Sequence, residues 1–352
     1  MSHRVAVNVV AWNSMPYLPG LVASLREQAW TDFALTVVDN ASADGTVEWL
    51  AGEAPDAGAI RNFRNLGFSR AHNQGIAFAL AKWAGEDLSK KYVLIANPDL
   101  EFGADSIRTL VEFMDAHPEA MACGPKLLRA IRRGEGDDGH PIVERTTVID
   151  AVGIGLRRSR RSFDRGAGEE DKGQYDGLSE VFGLSGACVM LRASALEALK
   201  EADGVWFDDQ FFAYKEDVDL AWRMLRFGMP AFVVPQAIVW HHRRAQDAKQ
   251  GFLWLGALRR RARKPPHVNR LSWRNHWWLL MKNEELGNGL VHAPWIGLYE
   301  FGKLCIAVIS PSSGWPAIRE GIAGLPDMWR KRRALARSAV VKGKGIRKWI
   351  GA

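Results

Sequence analysis

The sequence has little cysteine and no long apolar run. Its 352 residues include three cysteines, Cys123, Cys188 and Cys305. They are far apart and lack the spacing of a metal site, which argues against a disulfide scaffold and favours a reducing cytosol. The N-terminus runs into a short β-like stretch rather than a secretory signal, and no apolar run approaches the length that spans a bilayer. We therefore expect a cytoplasmic protein, either soluble or bound peripherally to the inner face of the cell membrane.

The composition is that of a globular protein with a basic end. Hydrophobic residues make up 47% and charged residues 25% of the chain, which allows one large domain with appendages or two domains. Much of the net charge of +7 lies in Arg259–Lys264 and in the tail from Arg319 onward. A basic surface suggests an anionic partner such as nucleic acid, phospholipid or a phosphorylated substrate. A solvated basic tail explains the same charge equally well.

Strand-like stretches that end in polar residues alternate with helical patterns in the first part of the chain. Tyr92–Ala96 is apolar and stops at Asn97-Pro98-Asp99, where the proline cannot continue a strand ladder. Val5–Ala11 runs towards Asn13, and Phe33–Val38 runs into Asp39. This alternation predicts an α/β fold with a mostly parallel central sheet and helices on both faces.

The polar strand ends form the first candidate site. Ligands bind at the carboxyl ends of the strands in an open α/β sheet, so Asn13, Asp39, Asn97 and Asp99 are expected to line one crevice. The alternative is that each residue only caps a turn or a helix. That alternative explains any one of these residues well, but it explains their joint placement poorly.

The middle of the chain supplies a glycine turn, an acid pair and a histidine. Charge and glycine between about 129 and 180 predict a partly mobile surface insertion. In the turn that follows, Ser185 and Gly186 are small enough to let a ligand approach the backbone. Glu216 and Asp217 open a predicted helix, where they are either the ordinary complement of the helix dipole or a candidate general base. His241 follows a predicted strand, a position that is more often structural.

The last hundred residues differ in composition from the rest. Eight of the fifteen tryptophans lie from Phe252 onward, mixed with arginine and lysine. Trp273 and Trp277 share one face of a predicted helix with Leu280 and Met281. Such a helix either packs on the main domain or lies at a lipid interface, where tryptophan and basic residues are both favoured.

An ordered set of short motifs resembles family 2 glycosyltransferases of the GT-A fold, in particular rhamnosyltransferase-like members that build bacterial polysaccharides. The motifs are, in chain order, Val38–Thr46, Asn65–Phe68, Asn73–Gly75, Asn97–Asp99, Gly183–Ala187, Lys215–Asp217 and His241. The resemblance covers roughly residues 4 to 245. It implies a Rossmann-like nucleotide-sugar-binding and catalytic domain over 1–250 and a basic, tryptophan-rich helical extension over 251–352.

The resemblance also implies a reaction. It is the inverting transfer of a sugar, rhamnose or a similar deoxyhexose, from a dTDP- or UDP-sugar to a hydroxyl of a growing or lipid-linked cell-surface glycan. Asp217 would deprotonate the acceptor, with Glu216 beside it, although the sequence alone does not separate the two acids. Asp99 and His241 would contact a divalent cation, manganese or magnesium, on the diphosphate. Ser185 and Gly186 would lie at the sugar or the acceptor.

By the same resemblance, a set of residues at the strand ends and the following turns would surround the nucleotide: Ala11, Asn13, Asp39, Asn65, Gly67, Asn73 and Asn97. Many relatives carry Asp-x-Asp where this chain has Asn97-Pro98-Asp99. That departure leaves two options open, a weak metal site or assistance to the diphosphate from arginines.

Other functions remain alternatives at this stage. A nucleotidyltransferase would share such a sheet, but Asn13–Tyr17 is not the glycine-rich, basic phosphate loop expected after its first strand. A non-catalytic nucleotide-sugar binder or a nucleic-acid binder would not require the acids and the histidine. We therefore expect an enzyme and no nucleic-acid partner. DNA binding with a steep salt dependence would show that the protein does bind nucleic acid.

Overall fold

The computed structural model describes residues 2–135, 141–201, 203–242, 265–309 and 311–351. The basic segment Arg259–Lys264 and the proposed domain boundary near residue 250 lie outside the described residues.

The N-terminal part alternates strands and helices as the sequence predicts. Its strands are β1 (Val5–Ala11), β2 (Phe33–Asp39), β3 (Gly58–Arg61), β4 (Tyr92–Ala96) and β5 (Leu100–Phe102). Its helices are α1 (Leu18–Arg26), α2 (Thr46–Glu53), α3 (Gly67–Lys82) and α4 (Ser106–Ala116). β1 pairs in parallel with both β2 and β4, and β2 pairs in parallel with β3. The carboxyl ends of these four strands therefore share one edge of the sheet.

The next part completes the sheet. Its strands are β6 (Ala122–Glu135), β7 (Pro141–Ala151), β8 (Ile154–Leu156), β9 (Ser162–Asp164), β10 (Ser179–Val181), β11 (Cys188–Arg192) and β12 (Ala231–His241). Its helices are α5 (Ala193–Leu199) and α6 (Glu216–Arg226). The strand order is β10-β12-β6-β11-β4-β1-β2-β3, with β5 on β12 and β7 on β6.

Strand directions confirm the predicted α/β class. β12, β6, β4, β1, β2 and β3 point one way, while β11, β10, β5 and β7 point the other, so the ten-stranded sheet is mostly parallel. Two apolar clusters cover it: α1 and α4 contribute to one, and α3, α5 and α6 contribute to the other.

The segment 129–180 differs from the predicted surface insertion. The long strand β6 pairs with β7 along most of its length, and β8 pairs with β9. Ala130 of β6 is buried between more exposed neighbours, and along β7 Arg145 and Thr147 are exposed while Thr146 and Val148 are half-buried. Because this segment is rich in arginine, its sequence does not show clearly the two-residue alternation that is typical of a strand with one covered face.

The C-terminal residues form helices that pack on α6. They are α7 (Pro266–Asn283), α8 (Leu286–Val291), α9 (Ala293–Ile309), α10 (Pro311–Ser338) and α11 (Lys344–Arg347). Trp222 of α6 lies in one apolar cluster with Trp278, Leu279, Met328 and Ile346. The predicted helical extension is thus present. The tail from Arg319 onward belongs to it rather than forming a separate solvated segment, and no described helix is long and apolar enough to cross a membrane.

Candidate active site

The carboxyl edge of the sheet gathers the polar strand ends. Ala11 and Asp39 are partners in the β1–β2 register, and Asn40 N donates to Ala11 O at 2.8 Å. At the end of β4, Asn97 N donates to Ala187 O at 2.8 Å. The first candidate residues predicted from the sequence therefore lie along one edge.

Asn13 and Asp39 shape the same loop. Asn13 has a left-handed backbone with φ of 51°, and its Oδ1 accepts a hydrogen bond from Ala43 N at 2.9 Å. The buried carboxylate of Asp39 accepts from Ser42 N at 3.2 Å. One N–H leaves an ionised carboxylate with further acceptor positions. Asp39 can therefore still accept from a ligand, and Asn13 Oδ1 keeps a second lone pair.

An amide cluster that the sequence analysis missed supports the turn before α3. Asn62 Nδ2 donates to Asn40 Oδ1 at 3.0 Å, and Asn62 and Gln74 exchange two hydrogen bonds of 2.9 Å. Asn40 Nδ2 donates to Gly67 O at 3.2 Å, while Gly67 N donates to Asn65 Oδ1 at 2.8 Å. The cluster fixes Asn65 and Gly67 in place behind the crevice.

Gly67 has no room for a side chain. Its φ is +82°, and a Cβ there would lie 2.5 Å from the carbonyl oxygen of Phe212. This close approach brings the turn before α3 against the segment that leads into α6.

Asn73 binds protein groups on both sides of its amide. Its Nδ2 donates to Phe207 O and to Asp209 Oδ1, both at 2.7 Å. Its Oδ1 accepts from Trp206 N at 3.2 Å and from Phe207 N at 2.9 Å. The structure thus shows Asn73 holding the segment before α6, and the predicted contact with a nucleotide stays a prediction.

Asp99 and His241 lie side by side. His241 Nε2 is 3.4 Å from Asp99 Oδ1, and its Nδ1 is 2.9 Å from Asp150 Oδ2. Burial alone lowers the pKa of His241, but the two carboxylates outweigh it and raise the pKa to about 9. Burial likewise raises the pKa of Asp99, and the charge of His241 reverses that shift and lowers it. Asp150, which orients the imidazole, fell in the predicted insertion and was missed.

These residues fit part of a cation site. Asp99 Oδ1 is buried and has no hydrogen-bond partner within the described ranges. A cation here would have to displace the proton of His241, after which one carboxylate and one neutral imidazole backed by a second carboxylate would suit manganese. The described residues contain no cluster of three or more His, Cys, Asp or Glu side chains that could hold a metal. A cation beside Asp99 would therefore need oxygens from a diphosphate and from water to complete its shell.

The acid pair at the start of α6 has two distinct environments. Asp217 Oδ2 accepts from Gly186 N at 3.3 Å, and its Oδ1 accepts from Val218 N at 2.8 Å. Glu216 is buried, and its Oε2 has no hydrogen-bond partner in the described part of the chain. Burial, with the neighbouring charge of Asp217, raises the pKa of Glu216 to about 8. Burial also raises the pKa of Asp217, but Lys215 and two backbone N–H groups oppose that rise.

Of the two acids, Asp217 therefore carries a negative charge more easily than Glu216. Two adjacent buried carboxyls do not both ionise easily, and the hydrogen-bond donors favour the charge on Asp217. This physical reason separates two acids that the sequence alone left equivalent.

A short loop joins the acid pair to the end of β4. In this loop, Gly186 N contacts Asp217, while Ala187 O contacts Asn97 N. A Cβ on Gly186 would lie 3.3 Å from Asp217 Cβ and 3.3 Å from Phe68 Cζ. The loop thus links Asp217 to the start of the Asn97–Asp99 turn through two backbone hydrogen bonds, and a side chain at position 186 would crowd Asp217 and Phe68.

A strained segment leads into the acid pair. Phe212, Tyr214 and Lys215 have positive φ angles of 64°, 72° and 76°, an unfavourable conformation for residues with a Cβ that must be held by surrounding structure. Asn275 of α7 supplies that hold, because its Nδ2 donates to the carbonyls of Phe211, Ala213 and Tyr214 at 2.7–2.9 Å.

A buried charge cluster fixes α6 from the other side. Lys282 Nζ of α7 lies 2.7 Å from Glu201, 2.8 Å from Asp208 and 2.8 Å from Asp219. Asp219 also pairs with Arg223 at 3.0 Å, the i,i+4 pair that the sequence allows. Two residues of α7, Asn275 and Lys282, therefore position the helix that carries Asp217.

Comparisons with family models agree with this architecture. The model described as Glycosyl transferase family 2 matches residues 6–200, and Glycosyl transferase family group 2 matches residues 124–284. The chain is 30% identical over 249 residues to an N-acetylglucosaminyl-diphospho-decaprenol L-rhamnosyltransferase of Mycobacterium tuberculosis, a match that covers 69% of this chain and 77% of that protein.

Two more distant proteins extend the comparison. The low-salt glycan biosynthesis hexosyltransferase Agl10 of Haloferax volcanii is 26% identical over 192 residues, which cover 54% of this chain and 52% of that protein. The crystal structure of GalNAc-T7 with UDP, GalNAc and Mn²⁺ superposes with a TM-score of 0.53 at 12% identity, over 80% of this chain and 48% of that one. At so low a sequence identity, the similarity to GalNAc-T7 supports only the fold.

Proposed function

Because the chain belongs to glycosyltransferase family 2 and has the GT-A fold, we propose that it transfers rhamnose or a similar deoxyhexose from a nucleoside diphosphate sugar to a hydroxyl of a lipid-linked or growing glycan, with inversion. The observation that carries this proposal is the 185–187 loop, which contacts Asp217 on one side and the Asn97–Asp99 turn on the other. The rhamnosyltransferase named in Mycobacterium tuberculosis supports the sugar and the lipid-linked acceptor.

The donor would bind along the carboxyl edge of the sheet. Asp39 has acceptor positions left for N–H groups of a nucleobase, and the Asn65–Gly67 turn lies behind the nucleoside. Asp99, with His241 beside it, would hold a divalent cation, which neutralises the charge of the diphosphate leaving group. Membership of the family favours this reaction over the nucleotidyltransferase alternative.

The acceptor would be activated by Asp217. Its carboxylate takes the proton of the acceptor hydroxyl while the acceptor oxygen forms a bond to the anomeric carbon from the face opposite the diphosphate. The bond from that carbon to the diphosphate oxygen breaks, and its electron pair leaves with the nucleotide. Glu216 stays protonated at neutral pH, so a single negative charge faces the acceptor.

A donor screen tests the proposal. We expect a dTDP- or UDP-deoxyhexose to raise the melting temperature in the presence of manganese or magnesium, since a ligand of the folded state stabilises it by mass action. The same donor should then yield a glycosylated product with a polyprenyl-diphosphate-linked sugar as acceptor. Stabilisation without any transfer would favour a non-catalytic nucleotide-sugar binder, and stabilisation by nucleic acid instead would contradict the proposal.

A further inference from the structure

We propose that α8 and α9 present an apolar face that inserts into the surface of an anionic lipid bilayer, beside the acceptor side of the site. The face consists of Leu286, Leu290, Val291, Trp295, Leu298 and Phe301. This inference rests on the proposed function in one respect, the lipid-linked acceptor. The structural evidence for the face and the vesicle-binding test do not depend on sugar transfer.

The face is exposed to an unusual degree. Leu286, Leu290, Leu298 and Phe301 are 78%, 75%, 74% and 65% exposed. Contiguous exposed apolar patches of this kind mark interaction sites, whereas single exposed apolar residues are ordinary.

The two helices form one nearly continuous surface. His292 N donates to Asn288 O at 3.1 Å, and Ile296 N donates to His292 O at 3.1 Å, so the helical hydrogen-bond pattern continues across the junction. With 3.6 residues per turn, the exposed apolar residues then fall on one half of the cylinder. His292, Lys303 and Ala307 on the other half are buried.

No charge interrupts the apolar face. Between residues 286 and 309 the only charged side chains are Glu300 and Lys303. Lys303 is buried, and its Nζ donates to Glu300 Oε1 at 3.0 Å, with Trp277 Nε1 as a further donor to Glu300. Both charges are therefore used on the packed side, which leaves an uncharged face with Trp295 among leucines, a composition suited to the headgroup boundary of a bilayer.

Arginines border this face and give it a preferred partner. The turn between β8 and β9 exposes Arg157, Arg158 and Arg161, and the Arg158 guanidinium lies 5.0 Å from the centre of the Trp295 ring. Arg160 of the same turn is buried; it donates to Glu284 just before α8 at 2.5 Å and to Asn288 O within α8 at 3.2 Å, which fixes the turn against α8. A positive border around an apolar face complements anionic headgroups.

The same turn connects the face to the candidate base. Ser162 of β9 accepts a hydrogen bond from Lys215 Nζ at 2.5 Å, and Lys215 directly precedes the acid pair. An acceptor whose lipid chain stays in the bilayer would thus have its head directed towards Asp217. Because no described helix can cross a membrane, the contact proposed is interfacial.

Vesicle flotation of the full chain tests the proposal. The wild type should bind phosphatidylglycerol-containing vesicles. The pair Leu290→Glu with Leu298→Glu should weaken binding roughly a hundredfold, because two leucines that the bilayer would bury are lost. Val340→Glu is the matched control, because Val340 is 77% exposed but lies outside the face. Arg158→Gln with Arg161→Gln should reduce binding and its salt dependence.

Three results separate the possible outcomes. A donor-induced melting shift that is unchanged in the Leu290→Glu, Leu298→Glu variant shows that the fold is intact, so its loss of vesicle binding supports the proposal. Equal vesicle binding by wild type and variant overturns the proposal. The proposal is also overturned if the wild type binds no vesicles and instead forms a dimer that the variant does not form. Transfer to a soluble short-chain acceptor should survive in the variant, so a failed transferase assay and a failed membrane contact give different results.

Discussion

Replacing Lys282 by methionine removes the cation at the centre of the buried charge cluster. Lys282 is 1% exposed and lies 2.7–2.8 Å from three carboxylates. Within the described part of the chain, Arg223 and Lys331 are the other cations that contact these carboxylates. The wild-type cluster thus balances three acids with three bases, and the variant leaves three acids against two.

The expected loss of unfolding free energy is about 3–5 kcal/mol, the range for breaking a buried ion pair and leaving its partners charged. That is a large share of a total stability of about 5–15 kcal/mol. Equilibrium urea unfolding, followed by tryptophan fluorescence, measures it as a lower midpoint. Lys342→Met is the control, since Lys342 is exposed and surface substitutions stay within about 0.5 kcal/mol.

The pH dependence adds a second readout. Burial raises the pKa of Asp208 and Asp219, but the adjoining cations outweigh it and lower both pKa values. A lowered folded-state pKa contributes stability above the unfolded pKa of about 3.9, which is lost as the pH falls through the folded pKa. Without Lys282 both folded-state pKa values rise, so the variant should lose less additional stability than the wild type as the pH falls below about 4. A loss below about 1 kcal/mol with the same acid limb would refute the reasoning.

Three further predictions concern the site itself. Asp99→Ala should weaken metal-dependent nucleotide binding in titration calorimetry, and equal wild-type affinity with and without a chelator would count against a cation at Asp99. Lys215→Met should shift the acid limb of the kcat profile to higher pH, because the Lys215 charge lowers the pKa of Asp217; an unmoved limb would remove that role. Asn275→Leu should lower kcat with little change in donor affinity, since it frees the strained carbonyls before α6, and a change in KM alone would argue against a positioning role.

Local patterns predicted most of the elements that carry the site. The sequence predicts the ends of β1, β2 and β4 and the polar residues after them, because the residues of each pattern are adjacent in the chain. The short strands β3 and β5 were missed because each has too few residues to show a pattern. β12 continues through Pro235 as one strand with a register shift between Val234 and Ile238, because a bulge tolerates the missing N–H.

The residues that position the site could not be read from the sequence. Asp150 is 91 residues from His241, and Lys282 is 63 residues from Asp219. Such partners are chosen by the packing of separate elements, and a charged residue in a charged segment gives no local sign of burial. The helix that carries Trp273 and Trp277 was expected to be either packed or interfacial, and it packs through Trp278 and Leu279.

The most direct measurement of the central claim is single-turnover transfer by Asp217→Asn, compared with the donor-induced melting shift of the same variant. Asparagine keeps the shape of the side chain but does not take a proton at neutral pH. We expect transfer to fall by about 10²–10⁴-fold, the usual contribution of a general base, while the donor-induced shift stays that of the wild type. Wild-type turnover by Asp217→Asn would contradict the account.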